Sequence, residues 1–152
     1  MLIEKKLEEL NIKLPSLPKP IASYVPYKKT GKLIFISGQG PIIDGKVIFQ
    51  GKVGLDINEE QAYEAARLTG LNLLAILKLA VKDLDTVVQI VTIHGYVNSI
   101  DEYKNQPNII NGISDLMIKV FEDKGYHARY AISCNGLPMN IPVEAEMVVE
   151  VK

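Results

Sequence analysis

Arg129 and Glu144 are the side chains whose types and settings best suit chemistry. Arg129 sits in an otherwise apolar run, Ala128 to Cys134, among Ala128, Ala131 and Ile132. A guanidinium buried without a partner is disfavoured by roughly several kcal/mol, so this one requires a partner. In the closing run, Val143, Ala145, Met147, Val149 and Val151 point one way while Glu144, Glu146, Val148 and Glu150 point the other. That is the period-two pattern of a strand with one apolar face. Gly136, Leu137 and Pro138 supply a turn between the two runs. If the runs pair as a hairpin, Arg129 and Glu144 can share a face. They then meet either through a salt bridge to Glu144 or Glu146 that fixes the hairpin, or through one shared ligand.

Other reactive groups read more plainly. His94 lies in an apolar run and reads as a satisfied core histidine, and Cys134 as a small buried hydrophobe with no His-Asp pattern beside it. Gly38-Gln39-Gly40-Pro41 is a backbone-permissive loop, but it lacks the spacing of a phosphate-cradling motif. Asn98 and Ser99 read as turn and cap residues. With two histidines and one cysteine in 152 residues there is no cluster with metal-ligand spacing. A net charge of −1 without a basic stripe disfavours nucleic acid as a partner. The charged opening MLIEKKLEELNIKLP does not read as a secretory signal, and no run approaches the roughly 18 to 20 apolar residues of a membrane span. The expectation is a soluble, cytoplasmic protein.

These groups must be positioned by elements the spacing predicts. Leu2, Leu7 and Leu10 recur as in a short helix, closed off by the proline-rich LPSLPKP, so residues 1–21 read as a helix and a stiff lead-in to a single domain over 1–152. Strands are predicted over Ala22 to Tyr27, Lys32 to Ser37 and Lys46 to Phe49. Asn58 with Gln61 forms a capping box for a long helix whose seam is Tyr63, Ala66, Gly70, Leu73, Leu74, Leu77 and Val81. Thr86 to Val97 reads as a strand apolar on both sides, with Val87, Val91 and Ile93 opposite Val88, Ile90 and Tyr96. Pro107 opens a second helix through Ile110, Ile113, Met117 and Val120, with Gly125 as its terminator. The fold class is α/β (α+β), a mixed sheet with two long helices on one face. Two-faced apolar strands require that the other face also be covered, and a homo-oligomer packing sheet on sheet does this.

YVPYKKTGKLIFISGQGP from Tyr24, the helix EAARLTGLNLLAIL, DLDTVVQIVTIHGYVNS and the closing HARYAISCNGLPMNIPVEAEMVVEV together resemble the reactive intermediate deaminase family, called RidA or YjgF and in older usage L-PSP endoribonuclease. The resemblance runs from about Ala22 to Val151. It implies a chorismate-mutase-like fold, a homotrimer with ligand sites in the intersubunit clefts, and no metal or organic cofactor. The implied activity is hydrolytic deamination of enamine or imine intermediates, such as 2-aminoacrylate, to 2-keto acids and ammonia. The partner is then a small 2-imino or 2-keto carboxylic acid. By the same resemblance Arg129 holds the carboxylate, Glu144 orients the attacking water, Tyr24 lines the pocket, and Ser37, Gly38 and Gln39 form the loop beside it. Ala131 stands where many deaminating members have cysteine, His127 where proline or alanine is usual, and Tyr130 where a small residue is typical. Those departures leave open a trimeric small-carboxylate-binding or regulatory protein without turnover. The older family name suggests a ribonuclease or translation inhibitor, which the absence of a basic stripe or paired histidines disfavours.

Overall fold

The computed structural model describes residues 2–17 and 23–152; the end of the proline-rich lead-in and Ala22 lie outside them. Helix α1 (Leu2–Glu9) is followed by β1 (Tyr27–Thr30), β2 (Leu33–Gln39), β3 (Ile42–Ile43), β4 (Lys46–Val47), α2 (Glu59–Val81), β5 (Val87–Asn98), α3 (Gln106–Phe121), β6 (Ala128–Cys134) and β7 (Val143–Val151). Five strands form one sheet in the order β1-β2-β7-β5-β6, antiparallel throughout except for the parallel β5–β6 pair. The other two strands, β3 and β4, make a separate two-stranded ribbon. The expected first strand begins later than its sequence suggests: Ser23 to Pro26 is irregular, and Tyr27 is the residue shared with the observed β1.

The core lies between one sheet face and helices α2 and α3. Helix α2 starts where the capping box requires, with the Asn58 side chain accepting from the Gln61 amide and the Gln61 side chain accepting from the Asn58 amide. Its inward face is Ala62, Ala66, Leu73, Leu74 and Leu77, and that of α3 is Ile110, Ile113, Met117 and Val120, all buried. Helix α3 ends at Phe121, ahead of Gly125, because Glu122 takes a left-handed conformation (φ 55°) and the chain tightens into a 3₁₀ turn over Glu122–Gly125. Along β7 the alternation holds: Val143, Ala145, Met147, Val149 and Val151 are buried, while Glu144, Glu146, Val148 and Glu150 face the opposite side. In β5 it is interrupted, since register shifts after Val87 and Ile90 turn Ile90 inward with Ile93 and Val97. Each irregularity moves the following side chain across the sheet.

Helix α1 is docked onto this core. Asp85 accepts from the Leu2 and Ile3 amides, Lys6 pairs with Glu122 at 2.7 Å, Lys78 pairs with Glu4, and Leu7 is buried. The tightest point of the fold is the crossing of α2 and α3 at Gly112. A Cβ there would collide with the backbone carbonyl oxygen of Tyr63 and sit 2.9 Å from the Arg67 amide nitrogen. Backbone cannot yield as a side-chain tip can. We expect Gly112→Ala to destabilise the fold by about 2 to 3 kcal/mol, read as a lower midpoint in urea unfolding.

Candidate active site

The uncovered sheet face carries Phe35 from β2, Glu144, Glu146 and Val148 from β7, His94 and Tyr96 from β5, and Tyr130 and Ile132 from β6. At one end of it β2 carries a bulge between Ile36 and Gln39, which re-aims Ser37 and Gly38 against β7. Gly38 has no side chain to spare here: a Cβ would lie 2.6 Å from Glu144 Oε1, so only glycine lets the carboxylate rest on the loop. Ser37 ties down the preceding segment, its hydroxyl donating to the Val25 carbonyl at 2.6 Å and its amide to the Pro26 carbonyl at 2.9 Å. Gln39 folds back on the same loop, its amide donating to the Ser37 and Gly38 carbonyls.

The resulting cleft, of about 990 Å³, brings together five of the seven residues expected at the site: Tyr24, Ser37, Gly38, Gln39 and Glu144. Glu146 joins them, and Leu17, Ile76, Leu79, Met139 and Ile141 make an apolar wall. The loop bearing Met139 is held in place from outside the cleft. Met139 and Asn140 both have left-handed backbones, φ 57° and 53°. Gln50 donates to the Met139 carbonyl, the Gly51 amide to that of Asn140, and the buried Asn98 to the Asn140 side chain. Asn98 is therefore a buried clamp, also accepting from Lys52 Nζ at 2.7 Å, rather than a turn residue.

Glu144 is half-buried, and its carboxyl titrates above the ordinary glutamate range because burial disfavours the charge and neighbouring Glu146 adds repulsion. Among the described residues no side chain donates a hydrogen bond to it, and none of those lining the cleft is cationic. Glu146 is occupied: its Oε1 lies 2.7 Å from His94 Nδ1, and the His94 ring stacks on Tyr130 at 4.3 Å between centroids. His94 thus stands on the uncovered face with a carboxylate partner, not in the core. Tyr130 and Tyr96 share a 2.6 Å hydroxyl contact, and the Tyr96 phenol is pushed up to about 12 by that bond first and burial second. Glu146 was legible in the alternation that places it beside Glu144. The tyrosine and histidine stack depends on pairing across β5.

Arg129 and Ala131 are elsewhere. Strands β6 and β7 do not form a hairpin: β6 runs parallel to β5 on one side, and β7 lies antiparallel on the other. The 3₁₀ turn at Pro138–Asn140 carries the chain across the end of β5, where the Asn98 amide donates to the Pro142 carbonyl. Arg129 aligns with buried Ile93, and Ala131 with Gly95, so both face the helices, whereas Glu144 aligns with Tyr96 on the uncovered face. The expected meeting of Arg129 and Glu144 within one chain does not occur. Instead Arg129 Nη1 donates to Ser114 Oγ at 2.9 Å, and Nη2 reaches the Pro107 carbonyl at 3.4 Å. His127, beside it, has its pKa lowered by burial, with the Arg129 charge pushing the same way.

A sequence profile described as YjgF/chorismate_mutase-like, putative endoribonuclease, matches residues 4–150. The chain belongs to the YjgF family. Protein TCP17 of Trypanosoma cruzi is 34% identical over 149 residues, 97% of this chain and 93% of that protein. The crystal structure of Atu1372, a protein of unknown function from Agrobacterium tumefaciens, is 38% identical and superposes with a TM-score of 0.92, covering 99% of this chain and 93% of that one. A putative endoribonuclease from Shewanella oneidensis is 30% identical with a TM-score of 0.94, covering 98% and 99%. The mixed sheet with two long helices on one face is thus the YjgF fold, and no helix among the described residues is long and apolar enough to cross a membrane. Within that family fold, Glu144 and Arg129 lie on opposite faces of one sheet.

Proposed function

We propose that this YjgF-family chain hydrolyses reactive 2-imino and enamine acids to 2-keto acids and ammonia, at sites completed between the protomers of a homotrimer. The observation that carries the reading is Glu144: an unpaired, half-buried carboxyl with a raised pKa, resting on the Gly38 backbone in a cleft large enough for a small acid. The imine in its protonated form is positive at nitrogen and negative at its carboxylate. Glu144 suits the first charge. The second needs a cation, which none of the described residues lining the cleft supplies, and a neighbour's Arg129, on the edge strand β6, is the candidate. Phe35, Tyr130 and Ile132, each more than a third exposed on the uncovered face, favour such packing.

An enamine first takes a proton at C3 to become the imine. Water then adds to C2 as Glu144 accepts its proton, giving a carbinolamine. Transfer of that proton to nitrogen lets the C–N bond break with its electron pair leaving on ammonia, and the hydroxyl proton passes to the regenerated Glu144 carboxylate, leaving the 2-keto acid. The apolar wall of the cleft would receive the carbon side chain. Two carboxylates and no cation among the described lining residues weigh against a phosphodiester substrate, and so against ribonuclease action at this cleft.

The test is release of ammonia and keto acid while a serine or threonine dehydratase generates the intermediate. Wild-type protein should speed both, and a rate no faster than buffer would reject the reading. A binding protein without turnover is the second reading, favoured by the ties of Arg129 to Ser114 and Pro107. It expects saturable binding of 2-ketobutyrate with no hydrolysis.

A further inference from the structure

Arg129 is held by a relay that its own strand does not contain. His127 Nδ1 lies 2.6 Å from the Gly125 carbonyl, and a carbonyl only accepts, so the proton of the neutral ring sits on Nδ1. Nε2 is then a bare acceptor, 2.9 Å from Ser114 Oγ, and the serine hydroxyl must donate to it. With its proton committed, Ser114 Oγ presents lone pairs to Arg129 Nη1 at 2.9 Å. The groups facing the imidazole are thus the uncharged Ser114 of α3, the Gly125 carbonyl of the 3₁₀ turn, and the Arg129 guanidinium of β6.

Two features set this relay apart from ordinary core satisfaction. A serine inside a helix usually returns its hydroxyl to its own backbone, yet Ser114, 6% exposed, uses both sides of its oxygen on groups outside α3. Arg129 also has no carboxylate partner among the described residues. A half-buried guanidinium held by a hydroxyl and a carbonyl keeps its charge uncompensated. Of its five N–H groups the relay and the Pro107 carbonyl take two, leaving enough for a two-pronged grip on a carboxylate.

We propose that Ser114 and His127 are positioning residues for Arg129, fixing the plane of its guanidinium so that the free N–H groups take a substrate carboxylate. This rests on the functional reading above, in which Arg129 binds the acid. It also accounts for His127 in this chain: the imidazole fixes the serine proton, and the serine fixes the arginine.

The test measures KM in the coupled imine assay and Kd for 2-ketobutyrate by calorimetry. Ser114→Ala should weaken both by about tenfold, the effect of one hydrogen bond to a charged group, while kcat moves far less. Ser114→Thr, which keeps the hydroxyl, should restore most of the affinity, and His127→Phe should act like Ser114→Ala. In an Arg129→Ala background the Ser114→Ala change should cost no further affinity, because the two act through one contact. Equal affinity losses from Ser114→Ala with and without Arg129 would overturn the positioning role, as would unchanged affinity in Ser114→Ala and His127→Phe when Arg129→Ala does weaken binding. If Arg129→Ala itself leaves 2-ketobutyrate affinity untouched, the reading of Arg129 as the carboxylate grip fails first.

Discussion

Mixing Arg129→Ala and Glu144→Gln protomers, each inactive alone, should restore about a quarter of wild-type imine hydrolysis once subunits have exchanged. The figure follows from symmetry. If every site takes Arg129 from one protomer and Glu144 from its neighbour, random trimers give each site an intact arginine half the time and an intact glutamate half the time, about one site in four overall. A site contained in one chain would recover nothing, since no chain in the mixture carries both residues. The geometry makes this the decisive measurement: β5 separates the two side chains, and they face opposite sides of the sheet. Alone, Arg129→Ala should lower kcat/KM by about 100-fold or more, as expected for losing two hydrogen bonds to a charged carboxylate. Mixtures no more active than their components would refute the shared site.

Glu144→Gln should separate binding from turnover and trade activity for stability. Replacing the carboxylate by an amide of nearly the same shape removes the proton acceptor, so kcat should fall by about 10² to 10⁴, while 2-ketobutyrate still binds. The proposed mechanism requires Glu144 as the carboxylate, and burial with Glu146 close by raises its pKa. Activity should therefore fall as pH drops through that raised value, giving an acid limb above the usual glutamate range. The stability effect has the opposite sign. A carboxyl whose pKa is raised on folding favours the fold below its unfolded pKa, and that contribution is lost as pH rises through the folded value. At neutral pH Glu144 thus opposes folding, and Glu144→Gln should melt higher than wild type, with the difference shrinking in acid. An unchanged kcat would remove Glu144 from the chemistry; an unchanged melting temperature would contradict its burial.

Much of the frame was legible in the chain because it is local. The capping box at Asn58 and Gln61, the seams of α2 and α3 and the alternation of β7 each depend on residues a few positions apart, and the structure reproduces them. The Tyr24 and Ser37–Gln39 segments were also expected near Glu144, and they line its cleft. Where the reading failed, pairing over distance was at issue. Two runs joined by a glycine turn suggested a hairpin, but nothing in Gly136 to Pro138 records that β5 lies between them. The inward turn of Ile90 arises at bulges that alternation cannot register, and the outward position of His94 follows from its partner Glu146 across the ladder.

By itself the sequence determined the family, the two helices on one sheet face, and the residue types available for chemistry, because periodicity and capping act over a turn or a strand. Only the tertiary structure decided which of those residues meet. Strand order is chosen by how the whole sheet best buries its apolar face, and that choice put Glu144 in a cleft with Ser37 and Gly38 and sent Arg129 to Ser114 and His127 on the other side.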